Sequence, residues 1–419
     1  MATVAFLDRQ IISLLVQPIK ADLGISDAEV GALMGVAFGL FYALFSYPLG
    51  ALIDRYQPRL IIFAGITLWS LAAMSCGLAA SFWQLFFGRM AVGIGEACLM
   101  PAAFAIIARV VPGHRLAMAM SIFAMGATIG SATAILVGGQ VIGVLERGSA
   151  IAIPLLDEHR PWQIVLILTG LPGIVLAPIC FLLPRLDHAR GSTDSGQPLL
   201  PFLRVNARYL SGLILGYAMV LIMAYGLSAW FPTYLIRYYD LSTATAATLF
   251  VASSMPFGLL GFVVPSMVVD RFFAAGRHDA HLRYGLFAAG LMTLLALICF
   301  GFSPGLVTTL ALVAAINFLF PMNGIVAAHL QMATPPVLRG RVSAIMILVS
   351  NVLGLAIGPS MVALLTDHVV GGPAHLGHAI AWVFAIAGSI SALLFLSGLT
   401  GARCAIRRAS PLPKDTPYT

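Results

Sequence analysis

Four charged side chains stand well inside apolar stretches of this sequence: Asp8, Arg9, Arg89 and Glu96. Ionisable groups are costly in lipid, and where they are kept they mark proton, ion or substrate paths. Two acids and two guanidinium groups sum to zero. The set can therefore be buried in pairs while each acid takes up and releases a proton in turn. At Glu96, burial works against the carboxylate and a neighbouring Arg9 or Arg89 works for it. That tension suits a proton carrier and makes Asp8 and Glu96 the proton-coupling candidates. Arg9 and Arg89 are the groups for which an anionic solute would compete. The alternative role for all four is a static ion-pair network that holds helices together. Arg89 and Glu96 are seven residues apart, which puts them on one helix face.

Such residues need an apolar frame to hold them at depth. The chain has 419 residues, of which 60% are hydrophobic and 9% charged, with a mean hydropathy of +0.97. Soluble domains are about 25% charged, so most of this surface faces something other than water. The net charge of +7 is spread among loops. No basic-aromatic module of the nucleic-acid-binding kind is present. Cys76, Cys98, Cys180 and Cys299 lie in apolar stretches and Cys404 lies near the C-terminus, without metal-type spacing. No metal and no cofactor are expected; the energy source would be the proton gradient.

A membrane-crossing helix needs about 20 mostly apolar residues. Spans are expected near 1–19, 30–53, 60–81, 84–109, 116–145, 162–183, 209–235, 246–269, 284–302, 306–332, 342–366 and 379–400. With a cytosolic N-terminus, inner loops and the tail hold 17 basic residues and outer loops only Lys20, Arg147, Arg160 and Arg237. The positive-inside rule then places both termini in the cytosol, and the excess of Arg over Lys, 21 to 2, points to a bacterial inner membrane. On this frame Asp8 lies about 11 residues, or ~16 Å, from the outer end of its span, and Glu96 about 12 residues, or ~18 Å. Both reach the midplane, where transporter sites lie. The first span opens at Met1 without a basic flank and is barely long enough to cross, at ~27 Å, so the chain is expected to extend upstream. A signal peptide is the competing reading, but Asp8 and Arg9 interrupt its apolar core.

The two halves resemble each other. Lys20–Arg55 reads KADLGISDAEVGALM…GALIDR and Tyr238–Arg271 reads YYDLSTATAATLF…SMVVDR, with Asp-to-Asp distances of 32 and 30 residues. In both, an Asp-Leu loop opens a helix that closes on Asp-Arg. Gly126-x-x-x-Gly130 is echoed by Gly354-x-x-x-Gly358-Pro359. The expected organisation is a six-helix bundle at 1–183, a cytosolic linker at 184–208, a second bundle at 209–400 and a cytosolic tail at 401–419. Parallel repeats with the site between them are a transporter architecture.

Asp54, Arg55, Arg59, Asp270 and Arg271 sit at cytosolic helix ends. They are either solvated loop charges or breakable contacts that hold one transport state. Gly93-x-Gly95 has no strand before it and is not a dinucleotide fingerprint; small residues there let helices approach closely. The second half holds no intramembrane acid. Among its polar points, Tyr225, Asn317 and Asn351 are the substrate-binding candidates, and His329 stands alone near the cytosolic end of span 10. Tyr225 to Trp230, with Pro232, forms an aromatic, kinkable outer end of span 7. A charged first half opposite an apolar second half fits a ligand with a polar head and a greasy body.

Gly50-Ala-Leu-Ile-Asp54-Arg55-x-x-x-Arg59 resembles the loop 2–3 signature of the major facilitator superfamily, with Pro58 in place of the usual glycine. Arg89-x-x-x-Gly93-x-Gly95 resembles its span 4 signature, and Gly354-x-x-x-Gly358-Pro359 matches part of its antiporter motif. More narrowly, Phe6-Leu7-Asp8-Arg9-Gln10, the Asp22-Leu23 loop and Gly95-Glu96-Ala97 resemble the bacterial spinster-like branch. That resemblance implies a proton-linked carrier of lysolipid- or sphingoid-phosphate-like amphiphiles, with Asp8, Arg9 and Glu96 as the polar cluster of the first half.

The expectation is thus an all-α integral membrane protein with twelve transmembrane helices in two six-helix bundles. It is a monomer that binds no nucleic acid, and its partners are the lipid bilayer, protons and an amphipathic or lipid substrate. It works as a secondary transporter by alternating access. The runner-up is a proton-coupled carrier of small organic acids or drug-like molecules, with Arg89 gripping a carboxylate. A non-transporting receptor or scaffold is the alternative of another class. An intramembrane enzyme would need a nucleophile or metal cluster at depth, and no such set is spaced in the sequence.

Overall fold

In the computed structural model, residues 2–111, 116–146, 160–182, 199–302, 304–335 and 338–409 are described. Within them, the side chains at 2–3, 51, 54–55, 105, 108–109, 116–128, 145–146 and 403–409 are not. Every element among the described residues is helical. The helices are α1 (Ala2–Leu23), α2 (Asp27–Ala32), α3 (Phe41–Arg55), α4 (Pro58–Cys76), α5 (Phe82–Glu96), α6 (Leu99–Val110), α7 (Leu116–Glu146), α8 (Pro161–Leu176), α9 (Leu199–Val205) and α10 (Ala207–Tyr239). They continue with α11 (Thr243–Ala274), α12 (Ala280–Gly301), α13 (Leu306–Leu319), α14 (Asn323–Ala333), α15 (Arg339–Asn351), α16 (Gly358–His368) and α17 (Leu376–Ala409).

Local chemistry sets the ends. α1 stops at Gly24, which takes a left-handed φ of +63° that costs glycine nothing. Ser26 then caps α2, and Glu29 returns to the Ser26 backbone to complete a capping box. Proline opens α4 and α8 at the first turn, where its missing N–H is not needed. In the second half, Asp240 takes a φ of +51° and the Ser242 hydroxyl accepts from Thr245 N at the start of α11. The Asp-Leu repeat is thus a pair of tight turns, each followed by a serine cap.

Several spans differ from their expected form. The first helix runs four residues beyond the expected end at 19, and its 22 residues span ~33 Å. Span 2 joins α2 to α3 through a π-helical segment, Leu33–Leu40, and span 11 joins α15 to α16 through another, Val352–Ile357. Span 4 is interrupted between α5 and α6, and span 10 between α13 and α14. The linker expected at 184–208 contains α9 and the start of α10, and α17 carries on into the expected tail as far as Ala409. The second Asp-Arg does not close its helix, because α11 continues to Ala274. Among the described residues, ten rods are long and apolar enough to cross a membrane. α1 has the length but carries Asp8, Arg9, Lys20 and Asp22, and in α7 the described side chains give only a shorter apolar stretch, Ile129–Val144.

The chain packs into two units. The first comprises Met1–Ser192, Tyr225–Met255 and Leu355–Ile380; the second comprises Thr193–Ala224, Pro256–Gly354 and Ala381–Thr419. In unit 1, glycines remove the bulk between helices. A Cβ on Gly93 would stand 2.6 Å from the Phe38 carbonyl oxygen, and one on Gly39 would stand 2.7 Å from the Leu355 carbonyl carbon. Gly31, Gly35 and Gly39 form one stripe against the segment from Leu355 to Ala363. In unit 2, Gly212 meets Gly398, and the Phe395 ring fills the space left at Gly216 and Gly285. Ser391 donates to the Gly216 carbonyl at 2.8 Å and Thr293 to the Phe384 carbonyl at 3.2 Å.

Candidate functional site

The four charged residues converge inside unit 1. Asp8 and Arg9 come from α1, seventeen and sixteen residues before the Ser26 cap's neighbour Ile25. Arg89 and Glu96 come from α5, and Glu96 is that helix's last residue, at the interruption of span 4. Arg9 Nη2 donates to Glu96 Oε2 at 2.9 Å. Its guanidinium carbon also lies 5.1 Å from the ring centre of Phe6 and 4.8 Å from those of Phe38 and Tyr42. Arg89 shares the Phe38 ring at 4.9 Å, and its Nη1 donates to the backbone carbonyl of Asp8 at 3.1 Å. Phe38 belongs to the π-helical segment of span 2, a kind of turn often found at functional sites.

The expected neutral pairing is only half realised. Arg9 and Glu96 pair directly, but Asp8 pairs with neither arginine. Its carboxylate is 1% exposed and has no hydrogen-bond partner among the described residues. Thr169 stands beside it, with its hydroxyl donated to the Leu166 carbonyl. Glu96 Oε1 is likewise without a partner. The cluster therefore holds one ion pair, one buried carboxylate free of hydrogen bonds and an aromatic cradle around a guanidinium. Aromatic faces attract such a cation by about 2 kcal/mol or more where water is excluded.

The other candidates are scattered. Tyr225 packs on the core of unit 1 beside Arg9. Gln10 reaches Ser228 at 3.4 Å. Asn317 and Asn351 lie in unit 2, where Asn317 donates to the Val313 carbonyl at 2.9 Å. Arg59 Nε binds Gln57 at 2.9 Å, next to Pro58. The side chains of Asp54 and Arg55 are not described; Gly126 and Gly130 lie within α7, and the surroundings of Gly126 are not described. Asp270 and Arg271 are exposed on α11 and make no ion pair among the described residues. His329 does not stand alone: its ring lies 4.9 Å from that of His281 and 5.4 Å from that of Tyr209. The described residues hold no group of three metal-ligating side chains.

A second charged cluster in unit 1 is not apparent from intramembrane depth, because its members sit at helix ends. Asp27 is fully buried and takes a bidentate bond from Arg237 at 2.7 Å and 2.7 Å, and Lys20 also pairs with it. Asp367 of α16 accepts from the Ala28 backbone N–H at 2.6 Å. Asp22 accepts from Trp162 Nε1 at 2.9 Å and pairs with Arg160. α1, α2, α10 and α16 are thus fastened together at one end. The signal was present as unmatched charges on both sides of short loops: Lys20, Asp22 and Asp27 against Arg160, Arg237 and Asp367.

A family model described as "Major Facilitator Superfamily" matches residues 1–359. The chain belongs to the major facilitator superfamily. Among relatives of this transporter, an MFS-type efflux pump of Mycolicibacterium smegmatis is 26% identical over 94% of the chain and 89% of that protein. Protein spinster homolog 1 of Homo sapiens is 25% identical over 87% of the chain and 71% of its own length. Among solved structures, a bacterial homolog of the human lysosomal transporter Spinster, inward-facing and unoccupied, is 24% identical with a TM-score of 0.77. That likeness covers 98% of this chain and 97% of the other. The superfamily and its fold are those of transporters, and the spinster-like resemblance read from the Asp8-Arg9 and Glu96 motifs agrees with these relatives.

Proposed function

We propose that this chain is a proton-coupled carrier of an amphipathic anionic solute, such as a lysolipid or sphingoid phosphate, working by alternating access of its two six-helix halves. The observation that carries the reading is the contrast between the two buried acids. Asp8 can bind and release a proton without breaking any existing hydrogen bond. Glu96 can take a proton on its unpartnered Oε1, but doing so cancels the charge that holds Arg9 at Oε2. Protonation of Glu96 therefore frees a guanidinium that sits among aromatic faces, and an anionic head with an apolar body matches that environment. An arriving anion that takes Arg9 frees Glu96 in turn, so each ligand changes the cost of binding the other. In the opposite phase, the end that joins α1, α2, α10 and α16 must part, which breaks the Asp27–Arg237 pair.

A second reading keeps the fold and moves drug-like molecules, which the efflux-pump relative favours, or small carboxylates. The test is uptake into liposomes that trap a pH dye. Lysophospholipids and sphingoid phosphates are set against small carboxylates and hydrophobic drugs, with Asp8→Asn and Glu96→Gln alongside. A pH change that follows the amphiphiles only and vanishes in Glu96→Gln is the expected result. A pH change with carboxylates or drugs instead, or one indifferent to both substitutions, removes the lipid-carrier reading and leaves the transporter fold.

A further inference from the structure

Unit 2 contains an open cleft that the transport reading does not use. Its volume is about 390 Å³, and it lies between α11, α12 and α13. Its walls are apolar: Val264, Val268 and Phe272 from α11, Phe287 from α12 and Phe318 from α13. Those of α11 and α12 are exposed, between 41% and 59%. In a chain whose apolar helices cross a membrane, such surface faces acyl chains. The cleft is also within the size range that holds a small molecule.

Arg277, Arg283 and Tyr284 line the same cleft. Their states differ. Arg283 Nε is bonded to Asp279 at 2.9 Å, so its charge is largely matched. Arg277 is exposed, has no carboxylate within ion-pair distance among the described residues, and lies over the Phe272 ring at 5.3 Å. The Tyr284 hydroxyl is committed to the Leu319 carbonyl at 3.3 Å, which leaves the arginines as the charged groups facing the opening. Asp270 and Arg271 at the end of α11 add one charge of each sign nearby. The local balance is one uncompensated cation at the mouth of a greasy cleft.

We propose that this cleft is a fixed binding site for an anionic phospholipid, with an acyl chain along α11 and α12 and the phosphate at Arg277. Apolar walls alone would take any lipid of the surrounding layer. The unmatched guanidinium is what selects a headgroup with net negative charge, and basic pockets between transmembrane helices serve this purpose elsewhere. The site lies within unit 2 and is separate from the Arg9–Glu96 cluster. The inference rests on the chain spanning a membrane and not on which solute it carries.

The test uses full-length protein in bilayers doped with lipids brominated on their chains. Phe287→Trp places a reporter indole in the cleft, and the quenching of wild type subtracts the native tryptophans. Brominated phosphatidylglycerol is expected to quench the added indole at about fivefold lower mole fraction than brominated phosphatidylcholine, the selectivity of one surface cation. Arg277→Gln should bring the two lipids together. Equal quenching by both lipids before that substitution, or quenching by neither, overturns the proposal, as does a preference that survives Arg277→Gln. A second measurement leaves the cleft's walls native: mass spectrometry of the intact protein released from detergent should show one phosphatidylglycerol fewer retained by Arg277→Gln than by wild type. An unchanged count also overturns it.

Discussion

Arg9 does two jobs that only a guanidinium does together. It bonds Glu96 at 2.9 Å through one edge and offers its flat face to Phe6, Phe38 and Tyr42. A lysine keeps the charge but has neither the fork nor the plane. Arg9→Lys should therefore lower solute-driven proton uptake by about 5–30-fold, the equivalent of one to two kcal/mol, while protein yield stays near wild type. Phe38→Leu tests the same cradle from the ring side. Because Phe38 faces both Arg9 and Arg89 at under 5 Å, its loss should weaken substrate binding by about tenfold, seen as a raised apparent KM. Of this cluster, Asp8, Arg9, Arg89 and Glu96 were legible in the sequence, since charge inside an apolar run needs no structure to be noticed. The aromatic shell was not legible: Phe38 and Tyr42 look like any core residues until the π-helical segment turns them toward the guanidinium groups.

Helices meet closely here because glycine lets them, and the closeness sets the geometry of the site. Gly93 lies one turn before Glu96, and its missing side chain admits the Phe38 carbonyl. Gly93→Ala forces α5 away from span 2, an overpacking that costs roughly 1–3 kcal/mol. Its thermal unfolding midpoint should drop, whereas Gly290→Ala, mid-helix with nothing within 4 Å of its added methyl, should hold the wild-type value or rise slightly through alanine's helix preference. The sequence showed Gly93-x-Gly95 as a packing device. Gly31, Gly35 and Gly39 carry the same small-residue spacing, but the sequence does not name the segment they pack on, which lies more than 300 residues away. The interruptions in spans 4 and 10 were also hidden. Pro321 lies in the second break and Pro101 just after the first, but neither is accompanied by a polar run, so hydropathy reads straight through them.

Across the whole molecule, the class, the apolar spans and the repeat were readable from hydropathy and charge. The latch around Asp27 was not, since Asp27 and Arg237 are 210 residues apart and each alone looks like a loop charge. Lys20 stays paired with Asp27 when Arg237 is removed, so the cost falls below the roughly 3–5 kcal/mol of a buried charge left unpaired. Arg237→Gln should therefore favour states in which α2 and α16 part. The reporter is Thr366→Cys, a position fully buried in α16. Its labelling by a membrane-impermeant maleimide should speed up at least about tenfold in the Arg237→Gln background. Labelling at an unchanged rate would mean that the pair does not hold this end shut.

The Arg9–Glu96 bond also bears on how the chain is made. The first helix carries four charged residues, and the acid that neutralises Arg9 is 87 residues further along. At a synthesis rate of 5–20 residues per second, roughly 4–17 s pass between the two leaving the ribosome. During that interval Arg9 has no partner, and α1 is a poor guest for lipid by itself. Its settled place in the bilayer must wait for α5, so α1 is translated well before the helix that secures it.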